Sequence, residues 1–205
     1  QLKTSITSQI ASEMASNSQI ENGKIHPNWG ILGAGAMGWL WTYYLQRAKI
    51  GTLLLQRQNT SYRECIIQKD NIFENCRTSA IKSDNPCLPA LDALIIAAKA
   101  YSVRSALLPL QEVLSSKQIP IILLQNGLGV FEEVRQLLPE QPILILSTSN
   151  GAYWHESAFL KLTGIGYSYF GTLDNSVTDS LKQILLEQLK ATGLPVLVND
   201  NILKQ

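Results

Sequence analysis

A short apolar run, Trp29 to Leu32, leads directly into Gly33-Ala34-Gly35-Ala36-Met37-Gly38, and a helix-like segment follows. Three glycines at this spacing have separate physical tasks. The first permits a tight turn, the second lets the backbone approach a pyrophosphate, and the third lets helix and strand pack closely. The helix N-terminus adds unpaired N–H groups and the positive end of its dipole. A bare G-x-G-x-x-G recurs by chance, but a strand before it and a helix after it make it a dinucleotide-binding loop.

The second strand-to-helix junction bears on which dinucleotide. NAD-selective folds place Asp or Glu about 20 residues past the glycines, where it accepts hydrogen bonds from the ribose 2′-hydroxyl. Here Thr52-Leu53-Leu54-Leu55 runs into Gln56-Arg57-Gln58-Asn59, with Arg57 19 residues beyond Gly38 and no carboxylate beside it. A guanidinium suits a 2′-phosphate, because its donor fork matches phosphate oxygens and its charge persists at every relevant pH. NADP(H) is the expected cofactor.

At 205 residues the chain can bury one good core, and a large single domain is favoured over two small ones. Its 16% charged residues and net charge of +1 argue against polyanion partners such as nucleic acid. No apolar run approaches the roughly 20 residues of a membrane helix. Residues 1–28 lack the continuous apolar stretch of a signal peptide, so a cytoplasmic location and no membrane partner are expected. Cys65, Cys76 and Cys87 form no C-x-x-C pattern and are expected as reduced thiols. His26 and His155 stand apart from them, and no metal site is expected.

Residues 1–28 form a polar N-terminal extension with a weak apolar pattern (Leu2, Ile6, Ile10, Met14), readable as a short amphipathic helix or a loose segment. Thereafter strand-like runs at 29–32, 52–55, 64–68, 93–97, 120–125 and 142–147 alternate with helical stretches at 36–48, 101–115, 128–138 and 176–191. This alternation predicts an α/β, doubly wound, Rossmann-like and mostly parallel sheet over residues 29–198. Ala158 to Leu162 and Gly166 to Phe170 read as a hairpin added at the sheet edge. Asp174 or Asn175 is the expected cap of the next helix, Gly193 its end, and 195–198 a last strand. Trp39, Trp41, Tyr43 and Tyr44 are expected to pack the first helix.

Residues just past parallel strands share one crevice. Lys99 follows one strand, Gln125-Asn126-Gly127 the next, and Ser147 to Ala152 a third. Lys99 can contact phosphate, ribose or an anionic substrate, or be an ordinary strand-end lysine. Asn126 can serve a ribose hydroxyl or a substrate oxygen, or be half of a plain Asn-Gly turn. Glu132-Glu133 read as first-turn carboxylates of a helix.

Taken in order, these motifs resemble the N-terminal half of the ketopantoate reductase (2-dehydropantoate 2-reductase) family. Ile31 to Gly38 is similar to its opening signature, Arg57 to its NADP-selecting arginine, and Ala98-Lys99-Ala100-Tyr101 to its lysine-alanine-aromatic motif. Leu124 to Gly129 with Glu132-Glu133 resembles its asparagine-glycine motif, and Thr148 to Ala152 and Phe170-Gly171 continue the match, which runs from about Trp29 to Ile202.

The resemblance implies that Gly33, Ala34, Gly35, Ala36, Met37, Gly38, Arg57, Asn126 and Ala152 line an NADPH site, with Lys99 near nicotinamide and substrate. It implies hydride transfer from NADPH to the ketone of 2-dehydropantoate, giving pantoate for pantothenate and coenzyme A synthesis. In that family the general-acid lysine, the substrate asparagines, a serine and a late glutamate belong to a helical C-terminal domain. Lys204 comes too early to be that lysine, so no catalytic residue is expected within these residues. Residues 199–205 are then the start of a connection to an absent domain. The chain is expected to bind NADPH without turning over, and the face left by that domain could drive self-association. The family also begins almost at its first strand, unlike this chain. Two alternatives remain: another NADP-dependent two-domain dehydrogenase of a small keto or hydroxy acid, and a non-catalytic NADP(H)-sensing module.

Overall fold

The computed structural model describes residues 28–85, 87–125, 128–156 and 158–199. The expected extension therefore lies outside the described residues up to 27, as do His26, the Asn126-Gly127 pair, and residues 200–205 with Lys204. Among the described residues no helix is long and apolar enough to cross a membrane.

Strand β1 (Asn28–Leu32) lies in the middle of one sheet, parallel to β2 (Gly51–Gln56) on one side and to β5 (Ala93–Ile96) on the other. Beyond β5 come β6 (Ile121–Leu123) and β7 (Ile143–Thr148), both parallel. Sequences such as Ala-Leu-Ile-Ile in β5 and Ile-Leu-Ile-Leu in β7 are apolar on both faces because helices cover both sides. The chain leaves β1 toward β2 and later returns to β5 on its other side. The strand order therefore reverses between β1 and β5, where doubly wound folds open a ligand crevice at the carboxyl ends.

Helix α1 (Ala36–Arg47) and α5 (Asp179–Ala191) pack into one apolar core. On the other side α2 (Val103–Leu107), α3 (Gln111–Lys117) and α4 (Leu128–Leu137) pack into a second. The single helix expected over 101–115 is broken into short turns around Leu108–Leu110, where Pro109 removes an N–H and crowds the preceding turn. Glu132 and Glu133 fall in the second turn of α4, not its first. The cap of α5 is Thr178, whose hydroxyl accepts the Leu181 N–H. Asp174 instead accepts from Ser176 N–H in the loop before it. Gly193 ends the helix region with φ +78°.

Strand β3 (Tyr62–Lys69) covers the expected 64–68 run but is not part of the parallel core. It turns at Asp70 (φ +54°) into β4 (Ile72–Lys82), and the two pair antiparallel, with β4 inserted parallel to β2. Polar residues dominate β4, which hides it from an apolar-run reading. Cys65 and Cys76 face each other in this register, buried, and all three thiols are free.

The edge hairpin exists, but its pairing differs from the expected one. Strands β8 (Gly151–Glu156) and β9 (Phe159–Gly164) form it, with β8 at the sheet edge and β9 parallel to β3. The run at 166–170 becomes β10 (Ser168–Gly171), antiparallel to β7 and parallel to β11 (Val196–Val198) near the opposite end. Strands β7 and β8 on one arm and β9 and β10 on the other thus make one long antiparallel ribbon: Ser168 opposes Thr148 in its inner half and Gly151 opposes Gly164 in its outer half. The two halves dock on opposite ends of the same sheet, which forces the sheet to curl around α1. Accordingly Gly38 through Leu45 are all buried, and Trp39 meets Trp154 of β8 edge to face at 6.5 Å. The first-helix aromatics do pack, as expected.

Candidate functional site

At the end of β1, Gly33 adopts φ +117°, a backbone that favours glycine, and its N–H donates to Leu55 O at 3.1 Å. A Cβ there would lie 3.0 Å from the Ala97 and Ala98 backbone, so the turn sits directly against the end of β5. A Cβ on Gly38 would come within 2.0 Å of Gly33 O, so the third glycine lets α1 close onto the turn. Gly35 differs from both: an added Cβ would meet nothing within 4 Å. The space over the second glycine is open, and this is where the sequence motif calls for a pyrophosphate.

Gly35 is also the N-cap of α1. It offers no side chain to the first-turn N–H groups, and that turn contains no acidic residue. The positive end of the dipole therefore faces the open space uncompensated. Ala34, Ala36 and Met37 rest partly buried on the core that α1 shares with β8.

Arg57 follows β2 directly, two residues past the Leu55 carbonyl that holds Gly33. It is exposed, and its guanidinium has no ion pair or hydrogen bond among the described residues. Ion pairs among the described residues include Arg47–Glu74, Lys82–Asp84 and Arg135–Asp174, none of which involves Arg57. Lys99 follows β5, also exposed and with its ammonium unpaired among the described residues. Its backbone is fixed, because Ser102 N–H and Oγ both bond to Lys99 O, at 2.8 and 2.9 Å. The Gln125 side-chain amide donates to Ile96 O and Ala98 O, tying the end of β6 to the segment carrying Lys99. Asn126 lies outside the described residues. Ala152 is the second residue of β8, opposite Leu162, against the same core as the glycine turn.

Thr148 and Asn150, which sequence reasoning placed in the crevice with the rest of Ser147 to Ala152, are used structurally instead. Asn150, 6% exposed, donates to Thr148 Oγ1 (2.8 Å) and Ser168 Oγ (3.1 Å), and its Oδ1 accepts from Gly166 N–H (2.9 Å). Together they pin the bend of the ribbon. Sequence reasoning also passed over Gln56, Gln58 and Arg63, which lie together at the end of β2. Arg63 is six residues past Arg57, at the start of β3, and the short loop after β2 turns it back onto Gln56 and Gln58.

The glycine turn, the uncapped helix and the strand-order reversal define a Rossmann-type domain, the fold class of dinucleotide-binding oxidoreductases. The chain belongs to the ketopantoate reductase PanE/ApbA family, whose model matches residues 29–175. It is 30% identical over 166 residues to the 2-dehydropantoate 2-reductase of Listeria innocua, covering 77% of this chain and 54% of that protein. With the Vibrio cholerae 2-dehydropantoate 2-reductase it shares 30% over 141 residues, 69% of this chain and 46% of that one. The chain thus spans about half the length of the curated relatives it matches. Among solved structures, 2-dehydropantoate 2-reductase from Geobacter metallireducens superposes with a TM-score of 0.72 at 20% identity, over 84% of this chain and 58% of that one. The ternary structure of D-mandelate dehydrogenase with NADH and anilino(oxo)acetate gives 0.72 at 21% identity, over 85% and 57%. These structural likenesses establish the fold.

Proposed function

We propose that this chain is the NADPH-binding domain, residues 29–198, of a 2-dehydropantoate 2-reductase, reducing the ketone of ketopantoate to pantoate in pantothenate and coenzyme A synthesis. The observation that carries this reading is the pairing of an open, uncapped and acid-free helix N-terminus at Gly35 with an unpaired arginine, rather than a carboxylate, after β2. The residues fit such a cofactor. Backbone N–H groups of Ala36, Met37 and Gly38 would hold the pyrophosphate, and Arg57 the ribose 2′-phosphate.

NADPH, when bound, supplies the hydride; the protein's part is to orient it and to polarise the ketone. Lys99, anchored through its own carbonyl and across from Gln125, would place a positive charge near the nicotinamide and an anionic 2-keto acid substrate. Asn126 and Ala152 complete the proposed cofactor contacts. The general acid would come from a helical C-terminal domain joined through residues 199–205, so these residues alone bind without turnover. A cytoplasmic setting and association through the face that such a domain would cover belong to the same reading.

A second reading, a related reductase acting on another 2-keto acid, draws on the equal superposition with D-mandelate dehydrogenase. Titration with NADPH and NADH tests the cofactor. An NADPH preference of at least about tenfold, lost in Arg57→Ala, is expected; equal affinity for both would overturn it. A panel of 2-keto acids on the full two-domain protein separates the substrates.

A further inference from the structure

Beside Arg57 the end of β2 holds a second arginine whose setting is more constrained. Arg63 reaches from β3 and donates through Nη1 to Gln56 Oε1 (2.7 Å) and to Gln58 Oε1 (2.6 Å). Gln56 is 5% exposed, and its own amide donates to Thr60 Oγ1 (2.8 Å), so the acceptor is itself held in place. Two neutral amide oxygens fix the guanidinium, and no carboxylate within ion-pair distance cancels its charge among the described residues. Both Nη1 hydrogens are spent on these bonds. The Nε and Nη2 hydrogens, which form the side-on fork that matches two phosphate oxygens, have no acceptor among the described residues.

The neighbouring cation makes the contrast. Lys82, opposite Gln56 on β4, is closed by Asp84 at 2.7 Å. The protein neutralises that lysine and leaves two arginines open at the same strand end. Neither guanidinium has a carboxylate counter-ion among the described residues, and a doubly charged phosphate bound at that strand end would supply one.

We infer that Arg63 is a specificity-determining residue that joins Arg57 in a two-arginine clamp for the ribose 2′-phosphate, with Gln56 and Gln58 as its positioning residues. This role rests on the reading of the β2 end as the 2′-phosphate site. Gln56, which stands where an NAD-selective strand carries its acid, then does more than omit a repulsive charge: it orients the second guanidinium.

The test is calorimetric titration of the 205-residue chain and of Arg57→Ala, Arg63→Ala, Arg63→Lys and Gln56→Leu with NADPH, NADH, 2′,5′-ADP and 5′-AMP, each checked by thermal melting. Expected are a loss of about tenfold in NADPH and 2′,5′-ADP affinity for Arg63→Ala, with NADH and 5′-AMP unchanged. Arg63→Lys retains charge without the fork and should fall between. Gln56→Leu should weaken NADPH selectively while leaving Arg57 in place. If Arg63→Ala keeps the NADPH-to-NADH ratio while Arg57→Ala abolishes it, Arg63 only clips the turn and the inference is overturned, although the cofactor reading stands. A native chain without NADPH preference, or without binding of either cofactor, overturns both. Should Arg63→Ala melt early, Arg63→Lys decides, since a purely structural clip would not shift the ratio between the two cofactors.

Discussion

Helices α1 and α5 pack into the same core yet solve opposite problems. In α5 only Leu185, Leu186 and Leu189 are buried; Thr178 caps its first turn and Asp179 meets its dipole. It is a surface helix that satisfies its own N-terminus. In α1 eight consecutive residues, Gly38 to Leu45, are buried, and its N-terminus has neither cap nor acid. Such a helix is held by enclosure rather than by its ends, so its N–H groups can stay unpaired for a ligand.

The largest expected effect tests that enclosure. Trp41→Ala, at a fully buried position, should destabilise by about 3–5 kcal/mol. Ile184→Ala on α5, 53% exposed, should stay within about 0.5 kcal/mol. Comparable losses in urea denaturation would mean that α1 is not enclosed. Next, Gly38→Ala drives a methyl into Gly33 O; a loss of about 1–3 kcal/mol with weakened NADPH binding is expected, read by melting and calorimetry.

The two N-termini can then be exchanged in character. Thr178→Ala should cost about 1 kcal/mol of stability and leave cofactor affinity unchanged. Gly35→Asp supplies the missing cap at a site with room for it and an ordinary φ of −76°, so stability should hold or rise by a few tenths of a kcal/mol. NADPH affinity should nonetheless fall at least about tenfold, because the carboxylate takes the anion's place. Unchanged binding would break the link between the uncapped turn and the ligand.

The smallest effect concerns the approach to α5. Partial burial pushes the Asp174 carboxyl up, but the Ser176 hydrogen bonds and the Arg135 charge outweigh it and hold its pKa below the usual value. A depressed folded pKa contributes stability that is present above the unfolded value of about 3.9 and is lost as pH falls through the folded one. Asp174→Asn should flatten stability against pH in that acid range and leave the neutral-pH cofactor titration untouched.

Much of the site was legible because it is local. The spacing of Gly33, Gly35 and Gly38 encodes a turn, an opening and a close contact within six residues, and Arg57 follows its strand directly. Fold class and the positions of β1, β2, β5, β6 and β7 along the chain were legible for the same reason, since apolar runs and helical periods are short-range signals. What escaped the sequence was pairing. The 158–162 and 166–170 runs look like partners, but the first pairs with β8 just before it and the second with the more distant β7, while the mixed sequence of β4 gives no continuous apolar run.

The glycine turn, the arginine after β2 and the alternating core thus follow from local sequence alone, because steric and hydrogen-bonding rules over a few residues leave them no other form. Long-range packing set the rest: one ribbon spans both ends of the sheet, and α1 is wrapped on every side. Those depend on which distant strands share hydrogen bonds, a choice made by the burial of the whole core and not by any segment alone.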